Sequence, residues 1–152
     1  MTASDILKIE RGTWIKAARS RVWRALTNIE EFSKWFSVRA EGKIATGNRV
    51  TMTSTYPGHE GIQFSVAVEA MRPEEYFSWR WTPGADAASD PGRPSTLVEF
   101  HLRDAQGGTM VTVTESGFDR ISLERRAAIV AENELGWEIQ MASLERYAGA
   151  KE

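Results

Sequence analysis

Two periods divide this chain. Up to about Ser116 the apolar residues recur at every second position, the side-chain period of a strand. From Leu123 onward they recur at every third or fourth, the period of a helix. Leu7, Ile9, Thr13 and Ile15 stand against Lys8, Glu10 and Lys16, which predicts a first strand over residues 6–16 with one wet face. In SRVWRAL, Val22, Ala25 and Leu26 fall at helical spacing with Trp23 beside them. Asn28 and Glu31 stand three apart, a capping-box pattern that opens IEEFSKWF as a second short helix. From about Val38 the alternation resumes. Val50, Met52, Ser54 and Tyr56 share a face, as do Phe64, Val66 and Val68; Phe77, Trp79 and Trp81; Val98, Phe100 and Leu102; and Val111, Val113 and Glu115.

The reversals YPGHEG, RPEE and DAQGG are short, so these strands should form an antiparallel meander with one covered face. Residues 82–95, TPGADAASDPGRPS, carry no apolar period; a loop is expected there, either a gate or a disordered connection. Leu123, Ala127, Val130, Glu134, Trp137, Met141, Leu144 and Ala148 then mark one long amphipathic helix, from Ile121 to Ala148, lying on the apolar face of the sheet. The expected class is α+β. It comprises a curved antiparallel sheet of about six or seven strands wrapped around the C-terminal helix, with two short helices after the first strand. No linker or repeat interrupts this order, so residues 1–152 read as a single domain.

Composition narrows the function more than the fold. The absence of cysteine removes disulfides and thiolate chemistry and suits a reducing compartment. MTASDILKIERG has no apolar core of a signal peptide, and no apolar run approaches the ~20 residues of a membrane span, so a cytoplasmic protein is expected. A net charge of −2 with mixed signs leaves no basic footprint for nucleic acid. Two scattered histidines, His59 in a turn and His101 on a polar strand face, make no metal site; His59 with Glu60 could at most touch a ligand at a rim. Neither a G-x-S-x-G elbow nor a phosphate loop is present. Six tryptophans, at 14, 23, 35, 79, 81 and 137, supply large rings for a core or for a pocket.

Strand, helix pair, meander and long final helix is the order of the helix-grip fold. VWRALTNIEEFSKWF, STLVEFHL, GGTMVTVTESGF and NELGWEIQMASLERY together resemble the activator of heat-shock protein 90 ATPase homologue-like branch of the START/Bet v 1-like (SRPBCC) superfamily. The resemblance covers nearly the whole chain and implies a cavity between sheet and helix. Its expected walls are Val50, Met52, Tyr56, Phe64, Val66, Phe77, Trp79, Trp81, Val98, Phe100, Trp137 and Met141. It is specific for fold, not for activity, because one fold hosts many functions. The leading expectation is a module that binds a small apolar, aromatic or lipid-like molecule, without a cofactor. The rivals are a polyketide cyclase- or hydrolase-like enzyme, also without cofactor, and a co-chaperone-like interaction domain. Partners other than the small molecule, namely a second copy of the chain or a chaperone, stay open.

The sharpest polar candidate is Glu115, carried inward by the alternation of VTVTES just before Gly117. A buried carboxylate needs partners. Arg11 falls on the inward set of the first strand, and in this fold the first and last strands are neighbours, so an Arg11–Glu115 pair is one reading. A ligand contact, an acid–base role and a place at the rim are the others. Asn133 and Glu134 precede Trp137 by one turn, and Glu134, on the apolar stripe, stands either at a solvated helix edge or at a cavity mouth. Gly136 costs roughly 1 kcal/mol in a helix interior, which suggests close approach of a neighbouring element.

Overall fold

The computed structural model describes residues 8–83 and 92–149. In chain order the elements are β1 (Lys8–Ile15), α1 (Arg19–Thr27), α2 (Ile29–Phe36), β2 (Val38–Glu41), β3 (Arg49–Ser54), β4 (Gln63–Arg72), β5 (Tyr76–Trp81), β6 (Thr96–Ala105) and β7 (Gly108–Ser116). A 3-10 turn (Phe118–Arg120) leads into α3 (Leu123–Gly149). The strands form one antiparallel sheet in the order β1-β7-β6-β5-β4-β3-β2. This is the expected helix grip, with seven strands.

The alternation in the sequence selects the covered face. Val50, Met52, Val66, Val68, Phe77, Trp79, Val98, Phe100, Val111 and Val113 are all buried, and α3 closes over them with Trp137, Met141, Leu144 and Ala148. Each fully buried side chain of this size contributes about 1.5–3 kcal/mol. Between them lies a continuous set of aromatic contacts. Trp79 meets Phe32, Phe36, Phe77, Trp81, Phe100 and Trp137 at ring separations of 5.3 to 6.4 Å.

The helix pair is tied down by polar groups. Asn28 caps α2, its side chain accepting from the Glu31 backbone N–H at 3.0 Å. The reciprocal half of the expected capping box is absent: the Glu31 carboxylate turns away to accept from Arg21 and Arg24, each at 2.7 Å, and from the Tyr147 hydroxyl at 3.2 Å. That cluster joins α1, α2 and α3. Burial pushes the Glu31 carboxyl up, but the hydrogen bonds from the two guanidinium groups and the nearby Arg21 charge outweigh it and leave it below its ordinary value. At the other end of α2, two terminal carbonyls meet α3. Trp35 O accepts from the Ser143 hydroxyl at 2.6 Å and Phe36 O from the Gln140 amide at 3.0 Å.

The buried face of α3 differs from the expected stripe in its first half. Leu123 is 66% exposed and Ala127 is also exposed, while Arg126, Ile129 and Val130 face inward. Arg126 is held there by the carbonyls of Asp119 and Ile121, so it fastens the 3-10 turn to the helix start. Glu134 is exposed and Asn133 takes the inward position.

Candidate functional site

The penultimate residue of strand β7 is the one that matters most. Glu115 is 0% exposed, on the covered face, opposite Val98 of β6 and Ile9 of β1. Gly117, at φ +101°, turns the chain away two residues later. Four side chains from three elements converge on the carboxylate. From β5, Trp81 Nε1 donates to Oε2 at 2.8 Å; from the start of β6, Thr96 Oγ1 donates to the same oxygen at 2.5 Å. From α3, Trp137 Nε1 donates to Oε1 at 2.9 Å, and Asn133 Nδ2 bridges both oxygens at 2.9 and 3.0 Å. Indole and amide N–H groups can only give hydrogen bonds, so the set is shaped for an acceptor with several lone pairs. Five contacts use the carboxylate's accepting capacity in full.

Among the described residues no cation takes part. Arg11 is not the partner of Glu115: its guanidinium lies 3.8 Å from Glu138 on α3, and both side chains are largely exposed. The strand parity was read correctly, since Arg11 pairs with the inward Val113. But β1 is the edge strand, and a long side chain there runs beside α3 into water instead of under it. Nor does Glu115 sit at a rim.

Beyond this cluster the packing opens. A cleft of about 780 Å³ is lined on its helix side by Phe36, Ile62, Phe64, Trp81, Asn133, Gly136, Trp137 and Gln140, with Glu132, Pro83 and Ser95 around it. Arg49, Thr51, Ser65, Ala67 and Arg80 also border it, but strand alternation places these on the opposite face of the sheet from Phe64 and Trp81. Only the helix-side part is bordered by partners of Glu115, namely Trp81, Asn133 and Trp137. Gly136 stands in this wall, and a Cβ added there would meet nothing within 4 Å. The expected close approach of a neighbour at Gly136 is therefore replaced by open space.

Of the residues expected to line a cavity, Phe64, Trp81 and Trp137 border the cleft. Val50, Met52, Val66, Phe77, Trp79, Val98, Phe100 and Met141 are buried in the core behind it. Tyr56 lies apart, in the turn after β3, with its ring 5.8 Å from that of His59. Much of the space expected between sheet and helix is filled by side chains, and what remains open is the cleft beside β4, β5 and the middle of α3. Phe36, Thr96, Gly136 and Gln140 were not anticipated in the site. Thr96 was within reach of the sequence: the inward series Val98, Phe100, Leu102 extends back to it by one step of two.

Residues 84–91 of the expected gate lie outside the described residues. The two ends of that segment are joined, Arg93 Nη1 donating to Pro83 O at 3.1 Å, and Ser95 O accepts from Arg120 at 2.7 Å. Among the described residues no group of histidine, aspartate and glutamate side chains is arranged to hold a metal, and no helix is long and apolar enough to cross a membrane.

The backbone resembles solved structures closely. Protein MLL2253 from Mesorhizobium loti superimposes with a TM-score of 0.75 at 25% identity, covering 92% of this chain and 95% of that one. The Aha1 dimer from Colwellia psychrerythraea gives 0.72 at 20% identity, with 94% and 96% covered. DynU16, from the dynemicin biosynthetic locus, gives 0.69 at 21% identity; 92% of this chain is covered but only 46% of that one. Among curated proteins no match was found. The sequence itself matches the family model described as Activator of Hsp90 ATPase homolog 1-like protein over residues 16–149, from the end of β1 to the end of α3, and the chain belongs to that family.

Proposed function

We propose that this protein binds a small, predominantly apolar molecule in the open cleft between α2, the middle of α3, and β4–β5. The observation that carries this reading is Gly136. A glycine in a helix interior costs about 1 kcal/mol relative to alanine, and such a residue is usually repaid by a close neighbour. Here a Cβ would point into empty cleft, beside Trp137 and opposite Phe64 and Trp81. Local stability is given up to keep a space open, and the space is walled by aromatic rings with two amides, Asn133 and Gln140, at its edge. That is the composition of a site for a ring-containing or lipid-like ligand.

Glu115 supports the site instead of serving it. With its oxygens committed to four donors it is poorly placed to take a proton from a substrate, which favours binding over a cyclase- or hydrolase-like reaction. By holding the N–H edges of Trp81 and Trp137, it fixes two rings 5.8 Å apart at a tilt of 32° and sets the floor of the cleft.

Native mass spectrometry of protein purified from its own host should reveal a small molecule released on denaturation. Titration with 1-anilinonaphthalene-8-sulfonate should quench tryptophan emission, and Gly136→Trp, which puts an indole into the cleft beside Trp137, should abolish the response. A bare chain mass together with a probe response unchanged in Gly136→Trp would sink the proposal.

A further inference from the structure

Of the tryptophans buried to 2% or less, two have a clear partner for the indole N–H. Trp35 donates to Ala25 O at 2.7 Å and Trp137 to Glu115 at 2.9 Å. Trp79, 1% exposed at the centre of the sheet, donates to nothing. An orphaned buried donor is costly, and native proteins rarely keep one without a use.

Its surroundings limit what that use can be. Trp79 is enclosed by the rings of Phe32, Phe36, Phe77, Trp81, Phe100 and Trp137, and the two indole N–H groups in that set are already given to Glu115. A buried water needs two to four polar partners, and these rings offer it none besides Trp79 itself. An oxygen attached to an apolar body has no such need, because the rest of the molecule is content among rings. The route is short: Phe36, Trp81 and Trp137 line the cleft, and each touches Trp79, so Trp79 stands one ring behind the opening.

We infer that the ligand of this cleft is an apolar, ring-containing molecule with a single hydrogen-bond-accepting oxygen, a ketone, quinone or ether, at its leading end, and that Trp79 Nε1–H receives that oxygen. This rests on the binding reading above and sharpens it to a ligand class. Trp79 is thereby a specificity-determining residue, selecting an acceptor-bearing molecule over a hydrocarbon of the same shape. The competing account is that the N–H points at the face of an edge-on neighbour, Phe36 at 88° or Phe32 at 83°, as a weak N–H···π contact.

The test uses two probes of equal shape, 2-acetylnaphthalene and 2-isopropenylnaphthalene, which differ in a carbonyl oxygen against a methylene. Their dissociation constants are measured on the full chain and on Trp79→Phe, which keeps a ring and loses the donor. The ratio of the two constants should shift by about tenfold towards the hydrocarbon in Trp79→Phe, the size of one hydrogen bond to a formerly orphaned donor. Affinity for the hydrocarbon should stay within about twofold. In parent protein labelled with ¹⁵N, the Trp79 indole cross-peak should move downfield with the ketone and not with the alkene, a readout that needs no variant. If both probes bind, the ratio is the same in both proteins and the cross-peak is indifferent, the inference is overturned and the cleft reading stands. If neither probe binds, both fall.

Discussion

Glu31 joins the three helices to one another and Glu115 joins α3 to the sheet, and their partners differ in kind. Glu31 meets two guanidinium groups and a phenol; Glu115 meets two indoles, an amide and a hydroxyl. At Glu31 charge answers charge, at a place where Arg24 is still half-exposed. At Glu115 a carboxylate is withdrawn completely from water and, among the described residues, is held by oriented dipoles alone. Ion pairing tolerates movement, since attraction falls slowly with distance, but it is weakened by salt and abolished by protonation. Dipole solvation works only while each donor keeps its aim. The Glu31 cluster is thus a fastening between helices, and the Glu115 cluster is a jig that sets the positions of Trp81, Trp137 and Asn133 at the cleft.

The largest effect that would break this contrast is at Glu115. In Glu115→Gln the new NH₂ must face one of the two carboxylate positions. Asn133 can turn its amide and Thr96 its hydroxyl, but Trp81 or Trp137 is left with its N–H against another donor. Loss of charge-assisted bonds and one orphaned indole should cost about 2–4 kcal/mol in urea unfolding, and Glu115→Leu, which strands all four donors, still more. The emission of Trp81 and Trp137 should broaden in parallel. A cost under about 0.5 kcal/mol, the range of surface changes, would mean that the donors find other acceptors and that no jig exists.

Glu31→Gln should be milder, about 1 kcal/mol at neutral pH, because partly exposed ion pairs contribute little each. Its signature is pH. The folded-state value is depressed, so the contribution is present above the ordinary value of 4.5 and is lost as pH falls through the lower folded value. The stability gap between parent and Glu31→Gln should therefore shrink on acidification below about 4.5, and shrink with added salt at neutral pH. A gap that stayed constant down to acid would show that Glu31 acts by shape alone.

The fold was legible because strands and helix have different periods, and the register of one face was enough to place almost every core side chain. The site was legible only where the same rule reached it. Glu115 and Thr96 follow from alternation. The choice of Asn133 over Glu134 does not, because neighbouring helical positions differ by about 100° and the first half of α3 buries Arg126, Ile129 and Val130 instead of the apolar Leu123 and Ala127, so the stripe alone does not fix its rotation. An amide one turn before Trp137 was the available signal. The unpartnered N–H of Trp79 lay beyond any reading of spacing, since it depends on which neighbours have already spent their polar atoms.

Arg11 marks the smallest effect and the cleanest limit of the comparison. Its parity is inward, yet the side chain escapes past the edge of the sheet to Glu138, with 44% and 58% of the two side chains exposed. If Glu115 truly needs no cation, removing this one should be almost silent. Arg11→Ala should change unfolding free energy by less than about 0.5 kcal/mol, as for an exposed pair at 3.8 Å. The double variant Arg11→Ala, Glu115→Gln should then show the sum of the two single effects, because sites without a shared partner add. A coupling of 1 kcal/mol or more would bring the guanidinium back into the neighbourhood of the carboxylate, and the dipole-only account of Glu115 would have to be given up.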